Sequence, residues 1–169
     1  SADYIFAHEF GHHFAGLGDE YYTSDVAYET GAVEQVEPWE PNVTALHDPA
    51  SLKWKDLVTP GTPIPTPWNK AAYETRSAEI QAERRRLRTT GAPESAMNAL
   101  FAAQQAWETS FLASMTHSGK VGAFEGASYE PRGLFRPEAD CLMFSRDEVG
   151  FCRVCRRAIG RIIDLHAGK

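Results

Sequence analysis

With 169 residues, 43% of them hydrophobic and 24% charged, the chain has the makeup of a globular protein with one sizeable core. Its net charge of −6 and pI near 5.5 exclude the basic face that a broad nucleic-acid footprint needs. No apolar run approaches the roughly 20 residues of a membrane-spanning helix, so we expect neither nucleic acid nor a membrane span. The first residues show no basic segment followed by an apolar stretch, hence no visible secretion signal.

Ser1 or Asp3 can cap a first helix that runs through His8 and His12 and is stopped by Gly16 and Gly18. From Tyr21 to Pro67, prolines at 38, 41, 49, 60, 63, 65 and 67 remove backbone donors and predict a long irregular region. Trp39 and Trp54 within it predict that this region packs on the body of the protein. Trp68 to Arg88 lacks internal Gly and Pro and predicts a helix, closed by Gly91-Ala92-Pro93. From Glu94 to about Met115, Met97, Leu100, Phe101, Trp107, Phe111 and Met115 recur at three- and four-residue spacing and predict a second helix, antiparallel to the first. The charges around Glu83 to Arg88 read as a solvated face, since Glu74, Glu79 and Glu83 offset the arginines.

Gly119 to Ser145 leaves room for one or two short strands, and a last helix is expected from Arg146 or Asp147 to His166. The fold class expected is therefore mainly α with long irregular loops and little β, in one domain over residues 1–169. Cys141, Cys152 and Cys155 are odd in number, so they cannot all pair within the chain. They read as a structural metal site completed by His166, as a disulfide involving Cys141, or as buried small side chains. Asn42-Val43-Thr44 matches a glycosylation acceptor and is expected to stay unmodified.

The chemistry concentrates in His8-Glu9-Phe10-Gly11-His12. Residues four apart on a helix point almost the same way, so His8 and His12 can offer two imidazole nitrogens to one ion. Glu9 is then placed to take a proton from a zinc-bound water and return it to a leaving amine. A catalytic zinc needs three protein ligands and an open position. Gly16-Leu17-Gly18-Asp19-Glu20 supplies a turn followed by carboxylates, which makes Asp19 the third ligand and Glu20 the fallback. His13 projects about 100° away from His12 and belongs outside this ligand set. One catalytic zinc ion and a protein or peptide substrate follow from this reading. A non-catalytic binding module derived from a peptidase fold is the alternative.

Metzincin peptidases carry a related pattern, HExxHxxGxxH or its Asp-ending form, with a methionine turn beneath the metal. Here the glycine and the acid each come one residue later, and Met143 in Cys141-Leu142-Met143-Phe144 stands where that turn is expected. Together with His8 through Tyr21, Lys53-Trp54, Gly61 through Pro67, Phe124-Glu125-Gly126-Ala127, Gly133 through Pro137, Cys141-Leu142-Met143 and Phe151 through Cys155, these segments span nearly the whole chain. They resemble the family of metallopeptidases named after the bacterial IgA peptidase. The resemblance implies zinc, endopeptidase-type hydrolysis, the C-terminal catalytic part of a metzincin-like zincin, and a bacterial extracellular or cell-surface setting. It also implies that the family's N-terminal sheet region is missing here. Immunoglobulin as substrate does not follow. Arg136, Tyr129 and Tyr22 are candidate substrate or oxyanion contacts, and Glu125 is read as a support for a zinc-bound imidazole or a salt-bridge partner.

Overall fold

A computed structural model describes residues 2–23, 35–146 and 149–168. The described residues form four helices, α1 (Ala2–Ala15), α2 (Lys70–Thr89), α3 (Glu94–Ala113) and α4 (Arg153–His166), and one antiparallel pair of strands, β1 (Phe124–Ala127) and β2 (Glu130–Arg136). The architecture is mainly α with little β, as the sequence predicts. No helix among the described residues is long and apolar enough to cross a membrane.

Helix α1 ends where the sequence places its stop. Gly16 adopts φ +61°, and its amide donates to the His12 carbonyl at 3.0 Å, closing the helix in a left-handed cap. The Trp39 ring lies across this glycine, 2.8 Å from where a Cβ would stand. Trp39 is nevertheless 78% exposed, whereas Trp54 is fully buried. Only the second tryptophan anchors the proline-rich region as expected, its indole N–H donating to the Gly122 carbonyl at 2.6 Å. That region, where described, holds just two 3-10 turns, Pro49–Ser51 and Lys55–Leu57. Some of its backbone groups are satisfied from outside: the Thr59 amide donates to Val121 O at 3.0 Å and the Thr66 amide to Ala123 O at 2.8 Å. Lys53 gathers the earlier loop by donating to the carbonyls of Pro38, Glu40 and Val43, and it pairs with Glu37 at 2.9 Å. Part of the predicted irregular segment, 24–34, lies outside the described residues.

Helices α2 and α3 form the expected antiparallel hairpin. Tyr73 near the start of α2 stacks on Trp107 (5.3 Å) near the end of α3, while Arg84 further along α2 lies over Phe101 (5.4 Å). Helix α4 begins later than the apolar pattern suggests. Its cap is Cys152, whose sulfur accepts from the Cys155 amide at 3.4 Å, and α4 itself starts at Arg153. The positions between Val149 and Cys152 are not helical. A main core joins Trp54, Tyr73, Leu112, Val121, Met143, Phe144 and Val154, and a smaller cluster of Val43, Ala127 and Leu134 lies at the strands.

Candidate metal centre

His8 and His12 lie one turn apart on α1 with their Nε2 atoms 3.1 Å from each other. The Nδ1 of His8 faces the Leu142 carbonyl at 3.2 Å, and that of His12 faces the Leu17 carbonyl at 2.6 Å. A carbonyl only accepts, so each ring carries its proton on Nδ1 and turns the Nε2 lone pair inward. Asp19 Oδ1 meets both, 3.0 Å from His8 and 3.1 Å from His12. Three electron-pair donors thus form a triangle of about equal sides. One proton can bridge only two of them, whereas a cation satisfies all three. Tetrahedral ligands on bonds of about 2.0–2.1 Å stand roughly 3.3 Å apart, so the donors fit zinc in both kind and spacing.

The chain reaches this geometry through the segment after Gly16. The Glu20 amide donates to Met143 O at 2.9 Å, the Ser128 amide to Asp19 O at 2.9 Å, and the Tyr129 amide to Tyr21 O at 3.1 Å. Side chains alternate along it: Asp19 and Tyr21 face the histidines, while Glu20 and Tyr22 are buried on the opposite side. Glu20, the fallback ligand, is therefore turned away from the histidines. The Tyr129 hydroxyl donates to Asp19 Oδ2 at 2.7 Å and is met by the Tyr21 hydroxyl at 2.6 Å. Where a proton instead of a cation lies between His8 Nε2 and Asp19, burial opposes the carboxylate, but the hydrogen bonds from His8 and Tyr129 outweigh it and hold the carboxyl below its usual range. In His8, burial opposes the imidazolium, yet Asp19 and the Leu142 carbonyl raise it overall. Burial, then the bonds to Tyr21 and Asp19, push the Tyr129 phenol up and keep it a neutral donor.

Met143 lies directly beneath α1, fully buried, with its sulfur 3.0 Å from a Cβ built on Gly11. Glu9 is exposed and, with His8 and Tyr21, borders a cleft of about 340 Å³ between α1 and the helical hairpin. His13 points to solvent. Two candidate contacts are not brought to the cleft. Arg136 is fully buried, 3.7 Å over the Phe144 ring and 4.4 Å over that of Trp68, and it donates to the carbonyls of Glu125, Gly126 and Ala139. Tyr22 is 1% exposed, packed under Gly126, where φ is +105° and a Cβ would strike the ring at 2.3 Å. Both support the hairpin instead. Glu125 pairs with Lys70 at 3.2 Å and accepts from the Gly133 amide, which is the salt-bridge reading. Asn42 is buried, with its amide bonded to Gly18 and Glu20, so its side chain offers nothing for glycan attachment.

Tyr21 is the residue near the donors that sequence reasoning left out. Its signal was the two-residue alternation that puts it on the face of Asp19.

Two imidazoles and a carboxylate whose donor atoms lie within 4.8 Å of one another form a group that could hold a metal ion on a mainly helical scaffold. The chain matches the family described as IgA Peptidase M64 over residues 1–163, and it belongs to that family. It is accordingly a peptidase, a hydrolase whose substrates are proteins. Among curated proteins, no sequence matches it.

Proposed function

We propose that the chain is a zinc-dependent metalloendopeptidase in which His8, His12 and Asp19 hold the ion and Glu9 is the general base and acid. The convergence of three electron-pair donors, with both ring tautomers fixed by main-chain carbonyls, carries this reading. Zinc held by three protein ligands with one position open polarises a carbonyl and acidifies water. The residues of the chain supply the rest. Glu9 follows His8 directly and stands exposed at the cleft, where its carboxylate can accept a proton from the attacking water and pass it to the leaving nitrogen. Tyr129 spends its proton on Asp19, which makes it a positioning residue for that ligand and not an oxyanion donor. Met143 packs as the floor of the site, the role of a methionine turn in a metzincin-like arrangement. The binding-module alternative gives no account of an exposed carboxylate beside two metal-ready imidazoles. A bacterial extracellular or cell-surface setting stays part of the proposal, resting on the family resemblance.

The test is hydrolysis of a denatured protein by the zinc-loaded chain and its variants, with metal content assayed alongside. Glu9→Ala is expected to keep zinc and lose about 10²–10⁴-fold in rate, the usual worth of a general base. Asp19→Ala is expected to lose zinc and activity together. A Glu9→Ala variant with undiminished rate would remove Glu9 from the chemistry. A wild type that binds zinc but cuts nothing would favour the binding module.

A further inference from the structure

Behind the segment that carries Asp19, on its buried side, lie Glu20, Cys141, Cys152 and Cys155. All four are buried, and one donor atom from each falls within 4.8 Å of every other. The cysteines are free thiols. Cys141 and Cys155 hold their sulfurs 3.8 Å apart, far beyond the roughly 2.05 Å of a disulfide and equal to the edge of a tetrahedron with metal–sulfur bonds of about 2.3 Å. Glu20 Oε1 lies 3.3 Å from the Cys155 sulfur and 4.0 Å from that of Cys152.

Main-chain amides point at two of the sulfurs. The amides of Met143 and Cys152 donate to the Cys141 sulfur at 3.5 and 3.2 Å, and the Cys155 amide donates to the Cys152 sulfur at 3.4 Å. The Cys141 sulfur thus accepts from two amides and that of Cys152 from one, with Cys152 at the cap and Cys155 in the first turn of α4, where the helix dipole favours negative charge. Asn42 donates to Glu20 Oε1 at 2.9 Å and fixes that carboxylate. The second oxygen, Oε2, is buried without a partner among the described residues. Four acidic groups packed in a dry interior, with one oxygen left unsatisfied, call for a cation at their centre.

We infer that Glu20, Cys141, Cys152 and Cys155 form a second metal site, a closed structural site for one tetrahedral zinc ion. On binding, three Zn–S bonds and one Zn–O bond form, and the thiol protons leave to solvent. The site takes no water and performs no catalysis, since all four positions belong to the protein. Its place in the fold gives it a task. It ties Glu20, next to Asp19, to the Cys141-Leu142-Met143 turn whose Leu142 carbonyl orients His8, and it ties both to the start of α4.

The test is metal stoichiometry of the chain purified under reducing conditions, followed by cobalt substitution. Wild type is expected to hold two zinc ions. The double variant His8→Ala/His12→Ala is expected to hold one, and its cobalt form to show the intense near-ultraviolet absorption of thiolate-to-cobalt charge transfer. Cys152→Ser/Cys155→Ser should lose one ion and that absorption while keeping the other ion. The histidine variant leaves the cysteine side intact, so it decides the question even where the serine variant fails to fold. A wild type with one ion, a histidine variant with none, and no charge-transfer absorption in either would overturn the second site while leaving the first standing.

Discussion

Ser128 and Tyr129 both hold positive φ, 49° and 65°, in the two-residue turn that joins β1 to β2. Asn and Gly are the usual occupants of such a turn, and left-handed backbone costs other residues about 1–2 kcal/mol each. The geometry aims the Tyr129 hydroxyl at Asp19, so the strain is spent on orienting a ligand. Tyr129→Phe keeps the ring and removes that hydrogen bond together with the one to the Tyr21 hydroxyl. Zinc affinity is expected to fall by about 10–100-fold, the usual effect of losing a partner of a metal ligand; competition with a chromophoric chelator would measure it. An unchanged affinity would mean that Asp19 needs no such support.

Gly11, inside the metal-binding motif, carries a different constraint at the same scale. A Cβ there would meet Met143 and Phe151 at 3.0 Å and Leu17 at 3.1 Å. Alanine would gain about 0.5–1 kcal/mol in helix propensity but lose about 1–3 kcal/mol to overpacking. Gly11→Ala is therefore expected to lower stability by about 1 kcal/mol in denaturant unfolding; a stabilised variant would show that the floor beneath α1 yields.

Among the elements, α1, α2 and α3 were legible because each has its own signal: a glycine stop, a stretch without breakers, an apolar stripe. The start of α4 was not, because a cysteine sulfur does the capping and the apolar pattern runs past it upstream; Asp147, one of the two starts expected, lies outside the described residues. The imidazole pair was legible from spacing alone. The partnership of Glu20 with the cysteines was not: the ligands are far apart in sequence, and the apparent partner, His166, sits exposed at the far end of α4, roughly 16 Å along the helix from Cys155. Arg136 and Tyr22 misled because their chemistry suits a site, whereas long-range packing puts them in the core.

The helical hairpin carries an energetic feature of its own. Glu108 on α3 is 4% exposed and accepts from Tyr73 at 3.3 Å and Gln104 at 3.0 Å. Burial raises its carboxyl above the ordinary value, only partly offset by those two bonds. A group raised on folding binds its proton more tightly in the native state. Its stabilising effect is thus complete below the ordinary glutamate value and is lost as pH rises through the raised one. Glu108→Gln, which keeps an acceptor and carries no charge, is expected to remove that decline. Melting curves of both proteins from acid to neutral pH would show it as a gap that widens with pH in favour of the variant. A constant gap would mean that Glu108 titrates normally.

At the level of the whole molecule, both donor sets belong to the folded state: Glu20 and the cysteines come from segments distant in sequence, and His8 and Asp19 are oriented by Leu142 and Tyr129 from much further along the chain. An ion that binds only the native chain adds about 2.7 kcal/mol at a free concentration one hundred times its Kd. Chelation of the zinc-loaded chain is expected to lower its melting temperature, and added zinc to restore it. A melting temperature indifferent to chelator would show that the folded chain does not depend on bound metal.

Asp19 and Glu20 are neighbours that look in opposite directions, and so the two donor sets share one ruler. A one-residue slip in such an alternating segment turns every side chain to the other face. Deleting a single residue between Gly16 and Asp19 would then do more than shorten a connection. It would offer Glu20 to the imidazoles and press an aromatic ring toward the cysteines, so that one small lesion in the reading of the chain would corrupt both centres together.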